Sequence, residues 1–146
     1  NRRVILHELL DDAADLESFD TVHNYIAEDQ IIRKGAVRAG RGEKLIVPLN
    51  MRDGSVICIG QGNEEFNSSS PHGAGRSMSR KKAKANLSLE EFEASMQGIF
   101  STCVSRATLD EAPMAYKDGE SVLDNIHETA EIVERIRPVY NFKAPE

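Results

Sequence analysis

The segment Ser70-Pro71-His72-Gly73-Ala74-Gly75-Arg76-Ser77-Met78-Ser79-Arg80 concentrates most of the chemistry that this chain's residue types offer. A histidine heads a Gly-Ala-Gly turn, and a helix-favouring stretch follows from Met78. Gly73 and Gly75 remove side chains where a ligand could approach the backbone. The amides of such a turn, near a helix start, suit a phosphate, and Arg76 and Arg80 add positive charge at the same end. A histidine so placed can serve as acid, base, metal ligand or nucleophile. The plainer alternative is a glycine-rich turn with an exposed histidine.

Three further segments have the same character. His23-Asn24 offers an imidazole that suits a borderline transition metal and an amide that can hold a phosphate oxygen. One histidine does not hold a metal, because a catalytic site needs about three protein ligands. The chain has no HxH or HxxxH pair, and His7 and His127 fall in expected helices facing solvent. Val47-Pro48-Leu49-Asn50-Met51-Arg52-Asp53-Gly54-Ser55 reads as a strand end followed by a polar turn, a common place for ligand contacts, with an ordinary Asp-Gly hairpin corner as the alternative. The tail Pro138-Val139-Tyr140-Asn141-Phe142-Lys143 ends a terminal strand on a lysine.

The elements that must position these residues follow from periodicity. Apolar residues at helical spacing between Val4 and Glu17 predict a helix. Ile31 to Ala39 and Glu43 to Val47 read as two strands joined by Gly40-Arg41-Gly42, Pro48 to Gly54 as a turn, and Ser55 to Gly60 as a short buried strand. Gln61 to Gly75 is a long polar loop, which in a compact domain points to function. Met78 to Ala85 favours helix, and Ser88-Leu89-Glu90-Glu91 is a capping box that opens another. Ile99 to Ser105 reads as extended. Asp118 is placed to cap a last helix whose stripe is Val122, Ile126, Ala130 and Val133, ended by Pro138, with Val139 to Lys143 as a final strand. The expectation is one α+β domain over residues 1–146, a mixed sheet with flanking helices.

Composition bounds the class. The chain has 146 residues, 40% hydrophobic and 29% charged, so it can bury a core and is not disordered by composition. No apolar run approaches the roughly 18 residues of a bilayer span. Cys58 and Cys103 make neither a disulfide framework nor a zinc knuckle; buried free thiols in a reducing, cytoplasmic compartment are expected. The opening Asn1-Arg2-Arg3-Val4 lacks Met and reads as the inside of a helix, as in a piece of something longer. The net charge of −6 argues against a polyanion partner. Its distribution argues the other way: Arg33, Lys34, Arg38, Arg41 and Lys44 form one basic stretch, and Arg76, Arg80, Lys81, Lys82 and Lys84 another. The acids gather between Glu8 and Asp20 and between Asp110 and Glu134. A polyanion feels the local field and not the total.

Taken together and in order, His23-Asn24, Arg33-Lys34-Gly35-Ala36, Pro71-His72-Gly73-Ala74-Gly75-Arg76 with Met78-Ser79-Arg80, and Glu111-Ala112-Pro113-Met114-Ala115-Tyr116-Lys117 resemble the C-terminal portion of the RtcB family of GTP-dependent RNA-splicing ligases. The resemblance covers nearly the whole chain. It implies that His72 is the nucleophile that attacks the α-phosphate of GTP, giving guanylyl-histidine and pyrophosphate. The guanylate then passes to an RNA 3′-phosphate, and a 5′-hydroxyl end attacks and releases GMP. It implies substrates ending in a 2′,3′-cyclic phosphate or 3′-phosphate, manganese as the metal, His23 as a metal ligand, and Asn24 against the nucleotide. It further implies a nucleotide pocket of Pro48, Leu49, Asn50, Met51 and Ser55 with His72, Gly73, Ala74, Gly75 and Lys143, phosphate or RNA contacts from Arg76 and Arg80, and Tyr116 stacked on the guanine.

Two departures stand out. Many members carry Pro-Gly-Ser-Met-Gly where this chain has Pro48-Leu49-Asn50-Met51-Arg52, so Leu49 and Arg52 alter that turn. The family's Asp, Cys and two further His metal ligands belong to an N-terminal portion with no counterpart here. The implied partners are therefore RNA, GTP and that N-terminal portion, with no membrane. Two other readings remain open at this point: a nucleotide- or RNA-binding module without catalysis, and a metal-dependent phosphoesterase using His72 as acid.

Overall fold

The computed structural model describes residues 2–9, 17–28 and 30–144. Helix α1 covers Arg2–Leu9, and the rest of the helix expected up to Glu17 falls largely outside the described residues. Strands β1 (Tyr25–Ile26), β2 (Ile32–Arg33), β3 (Ala36–Arg38), β4 (Lys44–Asn50) and β5 (Gly54–Gly60) follow. The polar loop then contains a 3-10 turn at Glu64–Phe66 and strand β6 (Ser69–Pro71). Helices α2 (Arg80–Asn86) and α3 (Leu89–Ser95) come next, then β7 (Phe100–Ser101), 3-10 turns at Arg106–Glu111 and Pro113–Ala115, α4 (Gly119–Leu123), β8 (Ala130–Ile136) and β9 (Tyr140–Asn141). The architecture is α+β, as the sequence predicts.

The centre is an antiparallel three-stranded sheet in the order β4-β5-β8. β4 alternates strictly, with Leu45, Val47 and Leu49 turned inward. They pack with Val56, Cys58, Leu123, Ile126 and Ala130 in one core. A second core, around Met51, Phe92, Met96, Cys103, Leu109 and Ala112, lies under α3. The two meet at the end of β4, where Leu49 belongs to the first and Met51 to the second. Both cysteines are buried and free, and burial pushes the Cys58 thiol up to about 11. Among the described residues, no helix is long and apolar enough to cross a membrane.

Two expectations are corrected. The helix starting at Asp118 ends at Leu123, and residues 130–136 form a strand instead. The second half of that stretch is rich in β-branched residues, Ile132, Val133 and Ile136, which favour a strand over a helix. The free edge of β5 decides between them, since a seven-residue antiparallel partner satisfies its backbone. The extra residue of the expected register, Val133, is taken up in a bulge opposite Ile57 and Cys58. The second correction concerns β3, which does not pair with β4 across Gly40-Arg41-Gly42. It pairs antiparallel with β6, with Ala36 opposite Pro71 and Arg38 opposite Ser69. That long-range ladder carries Gly35 to His72.

Candidate functional site

One step beyond the β3–β6 ladder, the peptide of Gly35 meets the His72 ring. The Gly35 carbonyl lies 2.7 Å from His72 Nδ1, and the Gly35 N–H donates to Asn24 Oδ1 at 2.8 Å. Gly35 holds this position with φ +69°, a conformation natural to glycine. The His23 ring lies 4.7 Å, centroid to centroid, from that of His72. A carbonyl only accepts, so a neutral His72 must carry its proton on Nδ1, which leaves the lone pair on Nε2.

The turn after His72 packs on the end of β4. Ala74 N–H donates to the Pro48 carbonyl at 3.0 Å, and a Cβ on Gly73 would lie 2.8 Å from that same oxygen. Only glycine lets the two chains approach so closely. Asn50 is a turn former: its Oδ1 accepts from the amides of Arg52 and Asp53, and its Nδ2 donates to Asp53. Arg52 is tied to Asp53 at 2.7 Å. The tail closes the other side, where Asn141 Nδ2 donates to the Met51 carbonyl at 2.6 Å.

These segments enclose a cleft of about 690 Å³, within the range usual for a nucleotide-sized ligand. Pro48, Leu49, Asn50, Met51, Ser55, His72, Gly73, Ala74, Gly75, Arg76, Tyr116 and Lys143 all line it. His23 and Asn24 do not line it: the His23 ring meets that of His72, and Asn24 holds the Gly35 amide. Leu49 and Met51 are 5% and 2% exposed, so their side chains serve mainly the two cores. Arg80 lies outside the cleft on α2, a seven-residue helix capped by Ser79, so the helix start sits beyond the glycine turn and not at it. A neighbouring hollow of about 530 Å³ shares Leu49, Ser55 and Pro138 but contains no imidazole.

The basic stretches are not bare loops. Arg33 is 2% exposed and donates to Ser69 Oγ and the Asn67 carbonyl, tying down the polar loop. Asp110 and Glu111, which the sequence places in a distant acidic cluster with Glu111 also heading the Glu111 to Lys117 motif, fold onto the second stretch. Glu111 Oε1 accepts from Arg76 at 2.7 Å and Arg80 at 2.6 Å; Oε2 accepts from the Tyr116 hydroxyl at 2.7 Å and pairs with Lys143 Nζ at 3.3 Å. Asp110 takes Arg80 at 2.6 Å and Lys84 at 3.3 Å, and its carbonyl accepts from Arg76. Arg76 also lies over the Tyr116 ring, 4.8 Å from its centroid, so one face of that ring carries a cation. Burial and the Glu111 carboxylate push the Tyr116 hydroxyl up to about 12. For Asp110 and Glu111, burial by itself raises the carboxyls. Hydrogen bonds from Arg80 and Lys84 to the first, and from Tyr116 with the Lys143 charge to the second, outweigh it and hold both below the usual range. The sequence offered no signal for these ion pairs, whose basic partners lie between 26 and 35 positions away.

Among the described residues, no group of three or more His, Cys, Asp or Glu could hold a metal ion. His23 has the His72 ring beside it but no third donor in such a group, so these residues by themselves do not fit a manganese centre.

The α+β scaffold thus presents an oriented imidazole at a glycine turn, with buried carboxylates backing the cations Arg76 and Lys143 at the cleft wall. The family model described as tRNA-splicing ligase RtcB matches residues 1–144, and the chain belongs to that family. It is 38% identical to the RNA-splicing ligase RtcB of Escherichia coli K12 over 132 residues, which is 85% of this chain and 32% of that protein. It is 37% identical to the tRNA-splicing ligase RtcB of Aeropyrum pernix over 131 residues and 35% identical to that of Nanoarchaeum equitans over 129, each match covering 75% of this chain and 27% of the relative. The chain thus spans about a third of the length of the curated relatives it matches.

Proposed function

We propose that this chain carries the nucleotide-transfer cleft of an RNA ligase that joins 2′,3′-cyclic phosphate or 3′-phosphate ends to 5′-hydroxyl ends, with GTP as the activating substrate. The Gly35 carbonyl on His72 Nδ1 is the observation that carries the reading, because it leaves Nε2 as the nucleophilic nitrogen. In the first step the Nε2 lone pair forms a bond to the α-phosphorus of GTP, the α–β P–O bond breaks, and pyrophosphate leaves with those electrons. The Nδ1 proton stays against the Gly35 oxygen, which stabilises the cationic ring as it forms. In the second, an oxygen of the RNA 3′-phosphate takes the guanylate and the P–N bond returns its electrons to Nε2. In the third, the 5′-hydroxyl attacks the 3′-phosphorus, loses its proton, and GMP departs.

The residues of the cleft support each part. Gly75 has open space where a side chain would stand, Arg76 and Lys143 stand at the wall, and Pro48, Leu49, Asn50, Met51 and Ser55 line the cavity beside them. A manganese ion, which the family resemblance implies, would take His23 as one ligand with the others from outside the described residues. The family name and the RNA-splicing names of the relatives support RNA as the polymer. The test is incubation of the full-length chain with α-labelled GTP and manganese. Covalent label is expected on the wild type and none on His72→Ala; equal labelling of the two overturns the proposal.

A further inference from the structure

Glu111 is 7% exposed and does not line the cleft, yet three of its four partners, Arg76, Tyr116 and Lys143, do. It stands behind the wall as the shared anchor of two cations that reach the cleft from distant parts of the chain. Arg76 is restrained on three sides: Nη1 by the Asp110 carbonyl, Nη2 by Glu111, and its plane by the Tyr116 ring. Lys143 has no such cage. Its flexible four-carbon stem is held at its charged end by the Glu111 carboxylate. Removing that one negative charge frees the lysine head and leaves Arg76 and Lys143 repelling each other. Among the described residues, every buried side-chain nitrogen and oxygen has a partner, so the cluster is a finished arrangement and not a half-satisfied one.

We propose that Glu111 is a positioning residue for nucleotide transfer at His72: it sets Arg76 and Lys143 at the cleft wall where the phosphate and base of the bound nucleotide meet them. The inference rests on the nucleotide-transfer reading above. It differs from a structural role in what it predicts for the rate. Displacing a positioning group by about 1 Å costs up to about 100-fold in the step it serves, whereas a merely structural carboxylate changes stability and leaves each folded molecule as fast as before.

The experiment is single-turnover labelling of full-length wild type, Glu111→Gln and Glu111→Asp with α-labelled GTP, with a thermal midpoint for each. Glu111→Gln is expected to lower the maximal rate of guanylate transfer about 100-fold, with a much smaller change in the GTP concentration that gives half-maximal rate. Glu111→Asp keeps the charge but is one methylene short of reaching both cations, and is expected to recover about 10-fold of that loss. A folded Gln variant with the wild-type maximal rate overturns the inference, whatever its midpoint. Should the Gln variant not fold, the Asp variant decides, and a wild-type maximal rate there overturns it equally. A wild type that takes no label sinks the nucleotide-transfer reading and this inference with it; a labelled wild type beside unimpaired variants sinks this inference alone.

Discussion

At Asp110 and Glu111, burial raises the carboxyl groups while hydrogen bonds and neighbouring cations lower them, from Arg80 and Lys84 at the first and from Tyr116 and Lys143 at the second, and the lowering wins at both. The consequence is a pH dependence of known sign. An acid whose folded-state value lies below its unfolded one, about 3.9 for Asp and 4.3 for Glu, contributes stability that is fully present above the unfolded value. That stability is lost as pH falls through the lower folded value. The thermal midpoint is therefore expected to hold as pH falls toward 5 and to drop below about 4. The double variant Asp110→Asn, Glu111→Gln should start lower and show a flatter acid limb; an acid limb as steep as that of the wild type would show that these two groups do not titrate as described. His72 illustrates the other residue-scale effect. Its identity was visible in sequence, but which ring nitrogen carries the proton in the neutral form is set by a carbonyl 37 positions away.

Within single elements, local signals were reliable where they closed on themselves. The Ser88–Glu91 capping box forms as read, with the Glu91 amide donating to Ser88 Oγ at 3.1 Å. Ser88→Ala is expected to cost about 1 kcal/mol, measured by denaturant unfolding. The β4–β5 corner tests a tertiary constraint instead. Gly54 has φ +77°, and a Cβ there would run into the Ile136 carbonyl of β8. Gly54→Ala combines left-handed strain with overpacking and should cost about 3 kcal/mol or more. An effect no larger than that of Ser88→Ala would mean that β8 does not press on the corner. The same strand explains the misread last helix: its β-branched residues favour a strand, and the edge of β5 gives that strand its partner.

On the scale of the whole molecule, the donor set is the limiting feature. His23 has His72 beside it, but among the described residues no group of three or more His, Cys, Asp or Glu could hold a metal ion, so the 146-residue chain by itself is expected to leave the electron paramagnetic resonance spectrum of aqueous Mn(II) unchanged. Tight, His23-dependent broadening would contradict that. What the sequence determined by itself was local. It set the α+β class, the buried thiols, the helix caps, the glycine turn after His72, and the family, because each is written in neighbouring residues or in a motif of unbroken order. What only the tertiary structure decided was non-local: the β3–β6 ladder that brings Gly35 to His72, the strand that replaces the last helix, and the fold-back of Asp110 and Glu111 onto Arg76, Arg80 and Lys143. Strand pairing and ion pairing depend on which groups are left unsatisfied once the rest has packed, and no stretch of sequence contains both halves of such a contact.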